Sequence, residues 1–210
     1  MKSVLMSIQP YWVFLIIARK MGWHIDKEKT IEVRNNFPKD QDWNRSVEIY
    51  CSKDKKSFSQ IPKKYQPLMK KFLGKVIGEF FCDKKDFFFA EYCDNGSADL
   101  TPSRLIYGLG NANSEIAYLD KCCLTHDELF DYIISGKYGF GWHITDLKIY
   151  DKPKELSEFR TPTDCESVIA KDMLCNTCCI CSYFCTKKPK RITRPPQSWC
   201  YVELLKELQE

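Results

Sequence analysis

Lys29, Glu32 and Arg34 stand close together in the segment Lys29–Arg34, KTIEVR. A lysine, a carboxylate and a guanidinium gathered in one groove have the chemistry to hold a phosphate and the edge of a base. Thr30, Glu32 and Arg34 alternate with Lys29, Ile31 and Val33, so a strand here has a polar face carrying Glu32 and Arg34. The same residues have a plainer reading, in which Glu32 and Arg34 pair across neighbouring strands and only hold the sheet together. On residue types alone both readings stand. Trp23 and Trp43 flank the segment in expected loops and are candidates to stack on a base, whereas Trp12, Trp142 and Trp199 lie in apolar contexts and read as structural.

Cysteine is the second feature. Of twelve cysteines, six fall between Cys165 and Cys185. Cys175, Cys178, Cys181 and Cys185 form the best quartet for structural zinc, which takes four thiolates tetrahedrally at about 2.3 Å. Overlapping spacings of this kind also occur in loops of buried thiols. Beside the cluster, Lys187, Lys188, Lys190, Arg191 and Arg194 make a basic run that reads either as a phosphate-tracking segment or as a solvated loop. Lys63, Lys64, Lys70, Lys71 and Lys75 have the same two readings. His126 falls in a helix cap, and His143 lies in a strand where it could face the groove. GxSxG, HExxH and P-loop motifs are absent from the sequence, and Gly108-Leu109-Gly110-Asn111 lacks the third glycine of a dinucleotide fingerprint.

The elements that must position these groups are short. Ser3–Ile8, Lys29–Arg34, Val47–Cys51, Gly74–Cys82, Phe140–Tyr150 and Ser198–Leu205 read as strands. Pro10 opens a helix over Tyr11–Met21, as proline in a first helical turn does. Thr125-His126-Asp127-Glu128 is a capping box that starts a second helix running toward Gly136. Phe140–Tyr150 changes apolar phase between Ile144 and Leu147, which predicts a bulge or bend, and Pro153 should end it. Many short strands with few helices predict an α+β fold with a curled or closed sheet.

The chain has 210 residues, 44% hydrophobic and 29% charged, with a formal charge of +4. That composition predicts one folded domain over 1–210 and permits a polyanionic partner without requiring one. The longest apolar run, Trp12–Ala18, falls far short of the roughly 20 residues of a membrane helix. Pro10 and Arg19-Lys20 do not suit a signal peptide, so the expectation is a cytoplasmic protein with reduced thiols and no membrane.

Ser7, Ile8, Pro10, Lys29, Thr30, Glu32, Arg34 and Pro38, in the order strand, helix, KTIEVR, Phe37-Pro38, closely resemble the signature of the ASCH domain, in the PUA-like group, as found in bacteria and their phages. The chain departs from that signature in a longer helix exit, Met21–Lys27, and in Lys27 where the family usually has glycine. GKVIGEFFC, YGFGWHITDLKIYDKPKELSEF and RPPQSWCYVE extend the resemblance, which leaves out much of Asp83–Cys123. It implies a small mixed β-barrel with short flanking helices, here carrying a cysteine-rich insertion at about 161–196, and RNA or a nucleotide-like ligand held by Lys29, Glu32, Arg34, Trp23 and Trp43. A second implication is a hydrolase or ribonuclease using Glu32 as general base and Lys29 to stabilise the developing anion. A third is a phage-type factor that binds a protein partner. Amidohydrolase-like members have Lys-Thr-Ile-Thr here. This chain has Glu32 at the nucleophile's position, which removes the attacking hydroxyl, and Thr30 is a poor substitute for it.

Overall fold

The computed structural model describes residues 3–38, 45–93, 103–134, 138–162 and 190–204. The strands expected around the site form: β1 (Ser3–Ile8), β2 (Ile31–Arg34), β3 (Arg45–Cys51) and β4 (Val76–Cys82). β5 (Lys85–Cys93) and β6 (Ser103–Tyr107) follow, then α4 (Ala112–Cys122) and α5 (His126–Ile134). Before them come α1 (Pro10–Ile17) and two short helices, α2 (Lys55–Ser59) and α3 (Gln66–Met69). The chain closes with β7 (Tyr138–His143), β8 (Thr145–Lys154), β9 (Phe159–Arg160) and β10 (Trp199–Leu204).

The fold is mixed α+β, with its strands divided between two sheets that do not close into a barrel. One sheet has six strands in the order β8-β4-β3-β1-β10-β9, the other four in the order β2-β7-β5-β6. β1 pairs with β3 in parallel, and the other strand pairs are antiparallel. The segment expected as one bent strand over Phe140–Tyr150 explains the division. β7 belongs to the smaller sheet and β8 to the larger, with the chain turning at Ile144 and a left-handed Asp146, φ 47°. A phase change read as a bulge is thus a crossing between sheets. Pro153 stays within β8 because β8 is an edge strand, where a missing N–H costs no ladder bond.

α1 stops at Ile17 rather than Met21, because the following turn runs through Gly22 at φ 67°. Its buried side chains join Val4, Met6, Val47, Ile49, Ile77, Phe80 and Trp142 in the main core. A second core forms where α4 and α5 cover one face of the smaller sheet, burying Ile31, Val33, Phe88, Ala90, Leu129, Phe130 and Ile133. The two glycines of Gly108-Leu109-Gly110 supply positive φ, 98° and 88°, for the turn into α4, whose cap is Asn111. The cysteine quartet and Cys165 lie outside the described residues, as do Trp43 and Lys187–Pro189. The segment's described ends meet, since Thr161 N–H donates to Lys190 O at 2.8 Å and Lys190 N–H to Thr161 Oγ1 at 2.9 Å.

On the outer face of the larger sheet Glu48 is buried and accepts a hydrogen bond from Tyr150 at 2.7 Å. Burial pushes its carboxyl up to about 6, against the Tyr150 hydrogen bond and the charge of Lys154, with Glu79 adding to the rise. A raised carboxyl favours the folded state most when protonated. Its contribution is full below the ordinary value of 4.5 and is lost as pH climbs through about 6. The shift corresponds to about 2 kcal/mol. Glu48→Gln keeps an acceptor for Tyr150 and should remove this pH dependence. Thermal unfolding at about pH 5 and about pH 7.5 is then expected to show the variant gaining on the parent at the higher pH. Parallel melting temperatures at both pH values would show that Glu48 carries no such burden.

Candidate functional site

β2 carries Glu32 and Arg34 on the face opposite Ile31 and Val33, which enter the second core. Lys29 escapes the expected alternation. It precedes the first residue of β2, so its side chain reaches the same cluster as Glu32. The ammonium donates to the carbonyl of Cys122 at the end of α4 (2.7 Å), lies 3.5 Å from Glu32 Oε2, and sits 4.9 Å from the centre of the Trp12 ring. Arg34 Nη2 is 2.9 Å from Glu32 Oε1 and donates to Ser7 O at 2.6 Å. Lys29 is 3% exposed and Glu32 5%. One carboxylate between two cations leaves an excess of one positive charge at this buried position.

The cluster forms the base of a cavity of about 560 Å³, within the size range of small-ligand sites, roughly 300–1,000 Å³. Four segments wall it. Ser7 to Gln9 and Trp12 come from the end of β1 and the start of α1, whose Tyr11 N–H donates to Ser57 Oγ at 3.0 Å in place of a cap from Gln9. Glu128 and Tyr132, four apart, come from one face of α5, and Leu124 from the residues just before it. Ser52 and Asp54 follow β3, and Pro195, Pro196 and Gln197 lead into β10.

The acidic groups of the rim are partly engaged. Asp54 caps α2 by accepting from Ser57 N–H at 2.8 Å. Glu128 and Thr125 form the expected capping box, with Thr125 N–H donating to Glu128 Oε2 at 2.8 Å and Glu128 N–H donating to Thr125 Oγ1 at 3.2 Å. Burial raises the Tyr132 hydroxyl, with Arg34 pulling it back down. Behind Lys29, burial pushes the Cys122 thiol up to about 12 despite the ammonium's opposing pull, so it is held as an uncharged thiol rather than a nucleophile. Ser7 Oγ, Ser52 Oγ, Arg34 Nε and Glu32 Oε2 are buried without a hydrogen bond among the described residues. Four such groups around one cavity are places where water or a ligand would complete the bonding.

Of the residues singled out from the sequence, Lys29, Glu32 and Arg34 come together. Trp23 does not join them. It stacks between Phe14, 5.5 Å away, and Tyr65, 5.0 Å away, on the far side of α1. His143 pairs with Asp86 at 2.6 Å and does not line the cavity. Trp12, read as structural, packs against the main core and also lines the cavity, and its place beside Pro10 at a helix start was the available signal. Tyr132 and the Pro195–Gln197 turn had none beyond ordinary helix and loop composition. Among the described residues no group of three or more His, Cys, Asp or Glu side chains could hold a metal ion.

No family model matches the chain, and no curated protein matches it. Among solved structures it is similar to the ASCH protein from Zymomonas mobilis, at TM-score 0.45 and 14% identity over 96% of this chain and 87% of that one. Two single-substitution mutants of that protein give TM-scores of 0.46. One has 14% identity over 97% of this chain and 91% of its own, the other 13% over 96% and 88%.

Proposed function

We propose that this chain is a binding module for RNA or a nucleotide, held in the cavity above Lys29, Glu32 and Arg34. The observation that carries the reading is the charge arrangement. Lys29, Glu32 and Arg34 place one surplus positive charge at the base of the cavity for an anion, while a half-buried indole and the rim carboxylates of Asp54 and Glu128, which bring the whole lining to a formal −1, suit a base and its N–H groups. The residues quoted for the ASCH resemblance support the same ligand class. As a general base in a hydrolase or ribonuclease, Glu32 is less well placed. One of its oxygens is taken by Arg34, and the whole group is almost sealed from water.

Fluorescence-anisotropy titration with short RNAs and with the four ribonucleoside monophosphates, at two salt concentrations, tests the reading. Arg34→Lys keeps a cation near Ser7 O but loses the fork, and should weaken binding by about 1–3 kcal/mol, roughly 5- to 150-fold. Glu32→Ala leaves two buried cations without their carboxylate and should cost about 3–5 kcal/mol of stability, so it reports on the fold before the ligand. Binding by folded Arg34→Lys and Lys29→Met at the parent's strength would remove the cavity from consideration. N4-Acetylcytidine should not be deacetylated at a meaningful rate, as followed by chromatography of released cytidine. Turnover abolished by Lys29→Ala would contradict that.

Zinc on Cys175, Cys178, Cys181 and Cys185 is proposed on their spacing. Protein purified without chelator should then contain one zinc per chain. Absence of stoichiometric metal, with Cys175→Ser and Cys178→Ser melting as the parent does, would dismiss the site.

A further inference from the structure

The smaller sheet carries a strip of aromatic rings that the cavity does not account for. Its outer face, opposite the helices, has Phe87 at 54% exposure, Tyr138 at 45%, Tyr107 at 38% and Phe89 at 37%. Directly opposed residues of antiparallel strands share a face. The register therefore sets Arg34, Phe140 and Phe87 in one row across β2, β7 and β5, and Tyr138, Phe89 and Tyr107 in the next across β7, β5 and β6. Phe89 and Tyr107 lie nearly parallel, 17° apart with centroids at 4.8 Å, and Phe87 is 5.4 Å from Phe140. The first row begins at a cation of the cavity.

We propose that this strip is a stacking platform for single-stranded RNA whose terminal or flipped nucleotide occupies the cavity. The inference rests on the reading given above for the class of ligand, and on the sheet face for the place. Rings offer bases a flat, sequence-tolerant surface, and successive rings on a sheet, about 6.8 Å apart along a strand and about 4.8 Å across strands, match the step of an extended nucleotide chain. Charge agrees with this direction. Lys85, two residues before Phe87 on the same face, lies over the Phe37 ring at 4.9 Å at the cavity end of the strip. The exposed carboxylate of Glu91, two residues beyond Phe89, bounds the other end. Aliphatic side chains would bury area against a protein equally well. An aromatic row leading from a guanidinium has a more specific use.

The test compares an oligouridylate of about eight nucleotides with uridine monophosphate on the full chain. Phe87→Leu with Phe89→Leu keeps apolar area and removes two rings. It should lower octamer affinity at least about tenfold and leave the monophosphate unchanged, whereas Arg34→Lys should lower both. Tyr138→Leu is a second variant, independent of the first should that fail to fold, and 2-aminopurine within the octamer should be quenched by the parent protein. Octamer affinity unchanged in folded variants overturns the platform. So does a parent that binds octamer and monophosphate equally, or a concentration-dependent dimer abolished by the leucine substitutions, which would assign the face to a second copy of the chain. Loss of octamer binding in the leucine variants with Arg34→Lys silent would instead retain the strip and dismiss the cavity.

Discussion

The clamp on Glu32 is the contact on which the rest of the molecule turns. Arg34 ties the carboxylate to the carbonyl of Ser7 in the larger sheet, and Lys29 ties it to the carbonyl of Cys122 at the end of α4. Through one side chain, the two sheets and the helical layer are held in register around a cavity. Buried ion pairs contribute little to stability when compared with an apolar substitute, and removing one partner costs much more. The arrangement therefore makes sense less as a source of stability than as a fixed charge pattern, set in place by groups whose removal should cost the fold about 3–5 kcal/mol.

The plain and the functional readings of KTIEVR turn out to be compatible. Pairing between Glu32 and Arg34 runs along β2 itself rather than across strands, which leaves Arg34 free to reach another sheet. The same side chains thus support the architecture and line the cavity. Bare donors and acceptors at Ser7, Ser52, Arg34 and Glu32 mark where the packing was left incomplete. Asn35 Oδ1, Tyr118 Oη, Trp142 Nε1 and Arg160 Nε are also buried without a hydrogen-bond partner among the described residues, so what sets the cavity apart is that four such groups converge on one space.

Much of this was legible in the sequence where local chemistry decides the outcome. β1, the Thr125–Glu128 cap and the polar face of β2 follow from alternation and capping, and the cap is present in the bonds predicted for it. The rest depends on tertiary placement. Alternation put Lys29 on the wrong face because it lies just outside β2, and no periodicity shows that the chain changes sheets at Ile144. Lys85–Cys93 passed unread as a strand, since its run of three phenylalanines obscures the inward side of Phe88 and the outward sides of Phe87 and Phe89. That Trp12 rather than Trp23 lines the cavity was hidden for a similar reason. Which tryptophan faces a cavity depends on what α1 packs against, and both lie beside apolar residues.

The central claim is that the Lys29–Glu32–Arg34 cluster and the cavity above it form one ligand site. Isotope-edited nuclear magnetic resonance of the full chain, titrated with each ribonucleoside monophosphate, tests it most directly. The indole N–H of Trp12, the Nε–H of Arg34 and the backbone amides of Gln9, Glu128 and Gln197 should shift together with a single dissociation constant, while the indole of Trp23, on the far side of α1, stays still. Shifts confined to other surfaces, or none at ligand concentrations that saturate RNA binding, would contradict the account.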